Sequence, residues 1–241
     1  MRFPETQRVI LPAPRDALAP PMDFLVRWNP STRARRVSLR ICLREGAVII
    51  TLPPGETRRE GIALLKAHGA WAMEHVAALA PAIPFAPGSI VPIGDVAHRL
   101  RHAPRLRTPP FLDGRELVVS GALRHLAVRT TGFLREEAKR RVAARLPAHT
   151  AQLGVVPRRI RIKDTRSRWG SCAPDGTLGF SWRLVMAPGW VLDYVVAHEV
   201  AHLRELNHSP RFWAHVARLS PDRDAAVDWL RRHGPRLLRI G

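Results

Sequence analysis

Residues 198–213 read HEVAHLRELNHSPRFW, which places three histidines and two glutamates within eleven residues. His198 and His202 are four apart. On a helix that spacing puts two imidazoles on one face, one turn apart, where both can reach a single ion at about 2.0–2.1 Å. Glu199 projects beside them, close enough to meet a water held by the ion without binding the ion itself. This is the H-E-x-x-H arrangement of two metal ligands and a general base. The surrounding residues Val191, Val195, Val196, Val200 and Leu203 predict a buried helix. A glutamate and two histidines on such a helix need partners, because unpaired burial costs several kcal/mol. Zn2+ would supply one.

A hydrolytic zinc site keeps three protein ligands and one open position. His208 is the expected third ligand, six residues after His202 and just before Ser209. The metzincin pattern H-E-x-x-H-x-x-G-x-x-H has the same spacing. Here Glu205 stands where that pattern has glycine, so the chain must turn elsewhere, and Asn207 in a left-handed conformation is the expected place. Glu205, Asp222 and Asp224 compete as third ligands or as groups that orient one, and His215 reads as a packing residue. Tyr194, the only tyrosine, lies one turn before His198 and either packs or donates to a developing oxyanion. Arg168 is a candidate for a substrate carboxylate or phosphate. Cys172 reads as a small buried residue beside a turn.

The elements that must hold these residues predict an α+β protein. Residues 1–21 read as a disordered or extended lead-in. Residues 22–125 form a small strand-rich α+β unit. Its strands are DFLVRWN, RRVSLRICLR and GAVIITLP, followed by a helix over residues 57–80. A hairpin turns at Gly94-Asp95 and RELVVSG adds a strand. Residues 126–241 form a second unit. A helix over residues 130–153 is interrupted at Pro147 and stopped by Gly154. RRIRIKD and TLGFSWRL form a hairpin around Pro174-Asp175-Gly176, and TLGFSWRL is the strand expected to pair with an extended peptide. The histidine-bearing helix runs from Pro188-Gly189 to about Leu206. Two more helices start at Ser209-Pro210 and Ser220-Pro221, the last ending at Gly234-Pro235.

Bulk composition narrows the classes. In 241 residues, 46% are hydrophobic and 24% charged, ordinary for a globular chain with a real core. No apolar run reaches membrane-spanning length, and the N-terminus does not resemble a secretory signal. Two distant cysteines make no disulfide framework, so a cytoplasmic location is expected. The formal net charge of +19 comes almost wholly from arginine. It makes a polyanion or nucleic acid a conceivable partner, although the arginines are spread along the chain as a GC-rich coding bias would spread them.

The segment from Thr165 to Trp213 resembles the YgjP-like metallopeptidase family, zincins related to the SprT-like zinc proteases. The motifs that carry the likeness are RWGSC at Arg168–Cys172, W-R-L at Trp182–Leu184, YVV-x-HE-x-AH at Tyr194–His202 and NHSPRFW at Asn207–Trp213. Ser181 departs from the pattern, which more often has asparagine there. The resemblance implies a compact zincin-like catalytic domain with His198, His202 and His208 on zinc and Glu199 as general base. The expected reaction is hydrolysis of a peptide or protein substrate by a metal-activated water. Two other readings compete. One is a metal-dependent nucleotide pyrophosphatase or phosphate-ester hydrolase, which the arginines suit. The other is a DNA-associated SprT-like protease or nucleic-acid-binding module, whose binding would weaken steeply with salt.

Overall fold

A computed structural model of the chain describes residues 5–12, 21–165 and 167–241. The architecture is α+β, with three small sheets and six helices. The chain divides into two compact units, residues 1–81 and 82–241.

The first unit is a four-stranded sheet with two helices. Its strands are β1 (Thr6–Leu11), β2 (Met22–Pro30), β3 (Ser38–Ile41) and β4 (Val48–Leu52), in the order β1-β2-β4-β3. β1 lies within the expected lead-in and pairs antiparallel with β2. Met22, Phe24 and Val26 alternate inward along β2, as a half-exposed strand requires. They join Ile50 and Leu65 in the core. The helix expected over residues 57–80 is two helices, α1 (Arg58–Ala67) and α2 (Gly69–Ala77), broken at His68 with ψ 20°. α1 starts at a capping box, in which Thr57 and Glu60 satisfy each other's backbone amides.

The second unit opens with β5 (Ile90–Ile93), β6 (Val96–Ala103), β7 (Phe111–Asp113) and β8 (Glu116–Ser120), in the order β5-β6-β8-β7. The β5–β6 hairpin turns at Gly94-Asp95 as expected, and both residues have positive φ, 65° and 68°. Helix α3 (Leu126–Leu153) then runs unbroken through Pro147. A stripe of residues three or four apart, including Leu126, Leu134, Val142, Leu146 and Leu153, is buried along it. Packing along this stripe outweighs the one backbone bond that proline removes. The same stripe explains why the division does not fall near residue 125. Leu126 and Leu134 share a core with Leu117 and Val119, so this sheet belongs with α3.

After Gly154, left-handed at φ 61° as expected, come β9 (Arg159–Lys163), β10 (Gly170–Cys172) and β11 (Thr177–Ser181). β9 and β11 do not form a hairpin; they are parallel neighbours. The antiparallel hairpin is β10–β11, and the sheet order β10-β11-β9 leaves β11 in the middle. A short 3-10 stretch over Trp182–Met186 leads into α4 (Gly189–Ala201), α5 (Pro210–Leu219) and α6 (Arg223–Leu237). α5 starts where expected, with the Ser209 hydroxyl accepting from the Phe212 amide at 3.2 Å. α6 does not start at Ser220-Pro221: Ser220 ends α5 and Asp222 takes the cap position of α6. Gly234-Pro235 lies inside α6 instead of ending it. A Cβ on Gly234 would stand 2.9 Å from the Trp169 ring, so the glycine is there to admit the indole. Among the described residues no helix is long and apolar enough to cross a membrane.

Candidate metal centre

α4 is apolar nearly all round and packs between α3, α5, α6 and β10. It therefore holds its polar residues rigidly. His198 and Glu199 lie in its last turn and His202 is its C-cap, so the helix stops at Ala201, short of the expected Leu206. The Leu203 and Arg204 amides bond back three residues, to the Val200 and Ala201 carbonyls, and tighten the end of the helix. Asn207 does not take the expected left-handed conformation. Its side-chain oxygen accepts from the Ser209 amide at 3.1 Å, a local turn that aims His208 back toward the helix.

The three histidines come together. One ring nitrogen from each of His198, His202 and His208 lies within 4.8 Å of the others. The Nε2 atoms of His198 and His208 are 3.3 Å apart. Two nitrogens about 2.0–2.1 Å from one tetrahedral ion would stand roughly 3.3–3.4 Å apart, so this pair suits a shared ion. The far side of each helical ring is already engaged. His202 Nδ1 donates to the Glu205 carbonyl at 3.0 Å, and the Tyr194 hydroxyl meets His198 Nδ1 at 3.4 Å. Such contacts leave Nε2 as the ring nitrogen free to hold an ion. Glu205 thus acts through its backbone. Asp222, Asp224 and His215 are not in the cluster.

Phe212 was not legible as part of this centre. It is fully buried, with ring centroids 4.9, 4.3 and 4.8 Å from His198, His202 and His208. It forms an apolar floor under all three imidazoles, and Trp213 stacks on His208 at 5.4 Å. Its signal in the sequence is its place in the NHSPRFW motif, just inside the Ser209-Pro210 helix start.

Electrostatics favour neutral imidazoles. Burial, with His202, His208 and Arg223 adding to it, pushes His198 down to about 4. Burial also lowers His202, against the opposing bond to the Glu205 carbonyl. Neutral histidine is the form that binds metal. Glu199 is only 5% exposed and makes no hydrogen bond or ion pair among the described residues. Burial pushes its carboxyl up to about 8, with Arg168 and Lys163 pulling the other way. β10 gives it space, since a Cβ on Gly170 would lie 2.6 Å from the Glu199 carboxyl carbon.

A cleft of 280 Å³ opens over the histidines, lined also by Arg168, Gly170, Ser171, Cys172 and Glu199. Arg168 is exposed and reaches this cleft. Cys172 is half-buried on β10 and lines the cleft, beyond the packing role expected of it. β11 cannot take a further strand, being paired on both edges; β10 is the edge strand beside the cleft.

A buried helix with three converging imidazoles and an unpaired carboxylate defines a metal-dependent hydrolase class of site. The profile of YgjP-like metallopeptidase domains matches residues 35–233, and the chain belongs to that family. No curated protein matches it. Among solved structures, the chain is similar to the metallopeptidase zymogen abylysin of Pyrococcus abyssi. That likeness has 24% identity and a TM-score of 0.35, over 41% of this chain and 97% of that one.

Proposed function

We propose that this metallopeptidase is zinc-dependent, with His198, His202 and His208 holding the ion and Glu199 as general base and then general acid. The observation that carries the reading is three ring nitrogens within 4.8 Å of one another, beside a buried carboxylate with no partner among the described residues. An all-imidazole donor set with an open fourth position suits zinc better than calcium or magnesium, which want oxygen. When bound, zinc supplies Lewis acidity that makes water acidic and a carbonyl electrophilic near neutral pH.

The remaining steps belong to the chain. Glu199 takes a proton from the attacking water onto a carboxylate oxygen, holds it through bond breakage and returns it to the leaving amine. A carboxyl raised by burial holds that proton well, and Gly170 keeps the carboxylate from being displaced. Tyr194 acts on His198 at Nδ1, fixing the ring. Arg168, exposed at the cleft, would meet a substrate carboxylate. An extended peptide would lie along the free edge of β10, so that main-chain pairing brings its carbonyl over the histidines.

The test uses the purified chain and Glu199→Gln, each stripped with a chelator and reloaded with zinc. Casein-like protein and a nucleoside triphosphate are offered to both. Proteolysis by the wild type, lost in Glu199→Gln at unchanged zinc content, is the expected result. Triphosphate cleavage without proteolysis would overturn it.

A further inference from the structure

A second hollow, of 300 Å³, adjoins the cleft. Arg168, Gly170, His198 and Glu199 line both, so the two are continuous across the Glu199 carboxylate. Their chemistry differs. Away from the shared edge, the second hollow is walled by Trp169, Tyr194 and Val195 and by Val227 and Leu230 of α6. Val227 and Leu230 are three apart and share a helix face. Val227 is 44% exposed, while its neighbour Ala226 is wholly buried. An aliphatic side chain is thus left open to water at the wall of a concave apolar surface beside the reacting groups. Trp169 is held there because Gly234 makes room for its ring against α6.

We infer that this hollow is the specificity subsite for a bulky apolar side chain, leucine, methionine or phenylalanine, next to the scissile bond. The inference rests on the proposed peptidase reading. At 300 Å³ the hollow is at the bottom of the roughly 300–1,000 Å³ range of small-molecule pockets, the scale of one large side chain. Side chains alternate along an extended peptide. One whose carbonyl lies at the cleft directs a flanking side chain across Glu199 and into the hollow. A charged side chain would be stripped of water against those apolar walls. Arg168, at the shared edge, adds repulsion against lysine and arginine.

The experiment measures binding as well as turnover. Five peptides identical except for leucine, phenylalanine, glycine, aspartate or lysine at the flanking position are titrated calorimetrically into zinc-loaded Glu199→Gln. The wild type supplies kcat/KM for the same set. Leucine and phenylalanine peptides are expected to bind at least 10-fold tighter than the other three, and kcat/KM to differ by about 10–200-fold. Adding Val227→Asp should remove that preference through the affinity term, and zinc content checks that the fold persists. Measurable binding and cleavage that ignore the flanking side chain, unchanged by Val227→Asp, would overturn the subsite and leave the peptidase standing. No binding by any peptide and no cleavage would overturn both.

Discussion

Glu199 and Arg183 are ionisable side chains buried in the same compact unit, and their surroundings are opposite. Arg183 is wholly buried and tied into a network. It pairs with Asp164, lies over the Trp182 ring at 4.1 Å and donates to the Ile240 carbonyl at 3.4 Å. Trp182 donates to the same carboxylate at 3.0 Å, closing a network that ties β9 to the end of the chain. Glu199 is almost as deep and is left without a partner among the described residues, beside His198 and His202, which burial keeps neutral. A buried ionisable group tied into a network by its neighbours is architecture. One held without contacts is a strained arrangement that pays only if something else, here an ion and a water, occupies the space in front of it.

Substitutions at the two positions should separate function from stability. Glu199→Gln is expected to lower peptidase kcat/KM by about 10²–10⁴-fold, the usual contribution of a positioned acid–base group, with zinc content unchanged. Its fold should be no less stable, because a neutral amide replaces a carboxyl that resists ionisation. Asp164→Ala should do the reverse. Leaving Arg183 buried without its carboxylate is expected to cost about 3 kcal/mol in denaturant unfolding, while protein that remains folded binds zinc as before. Loss of zinc binding in Asp164→Ala at low denaturant would erase the distinction.

A smaller effect concerns pH in the metal-free protein. The Glu199 carboxyl titrates near 8 when folded, against an ordinary 4.5, so unfolding releases a proton between those values and stability falls as pH rises. His198 works in the other direction, losing stability as pH falls from 6.5 toward 4. The two oppose each other in acid, and of the pair only Glu199 acts between pH 6.5 and 8. Chelated wild type should lose about 1–2 kcal/mol across that interval, and chelated Glu199→Gln should lack that decline. Equal slopes in the two proteins would mean the carboxylate is not desolvated as the fold implies.

How much of this was legible follows from what each feature depends on. The helix with His198, Glu199 and His202 could be read because helical periodicity is local and the chemistry sits on it. The parallel β9–β11 pairing could not. Sequence adjacency favours hairpins, and β10 is only three residues of GSC with no strand pattern. Pro147 and Gly234-Pro235 misled for a common reason: their helices are held by tertiary packing, the α3 stripe in one case and Trp169 against Gly234 in the other. The cap at Ser209 was local and legible. Asn207 does make a turn, but through its side chain and with no left-handed residue, and the helix has already ended at Ala201. Phe212 beneath the imidazoles depends on how α5 docks against α4, which no local pattern encodes.

The most direct measurement of the central claim is zinc titration of the metal-free wild type and of His198→Ala, His202→Ala and His208→Ala. The account predicts one ion per wild-type chain. Each single change should weaken binding by more than the ~10–100-fold that loss of an orienting partner alone would cost. His208 decides most, because it stands outside the helix and joins the other two only through the turn at Asn207. Undiminished zinc affinity in His208→Ala, with the fold intact, would contradict a centre built from all three.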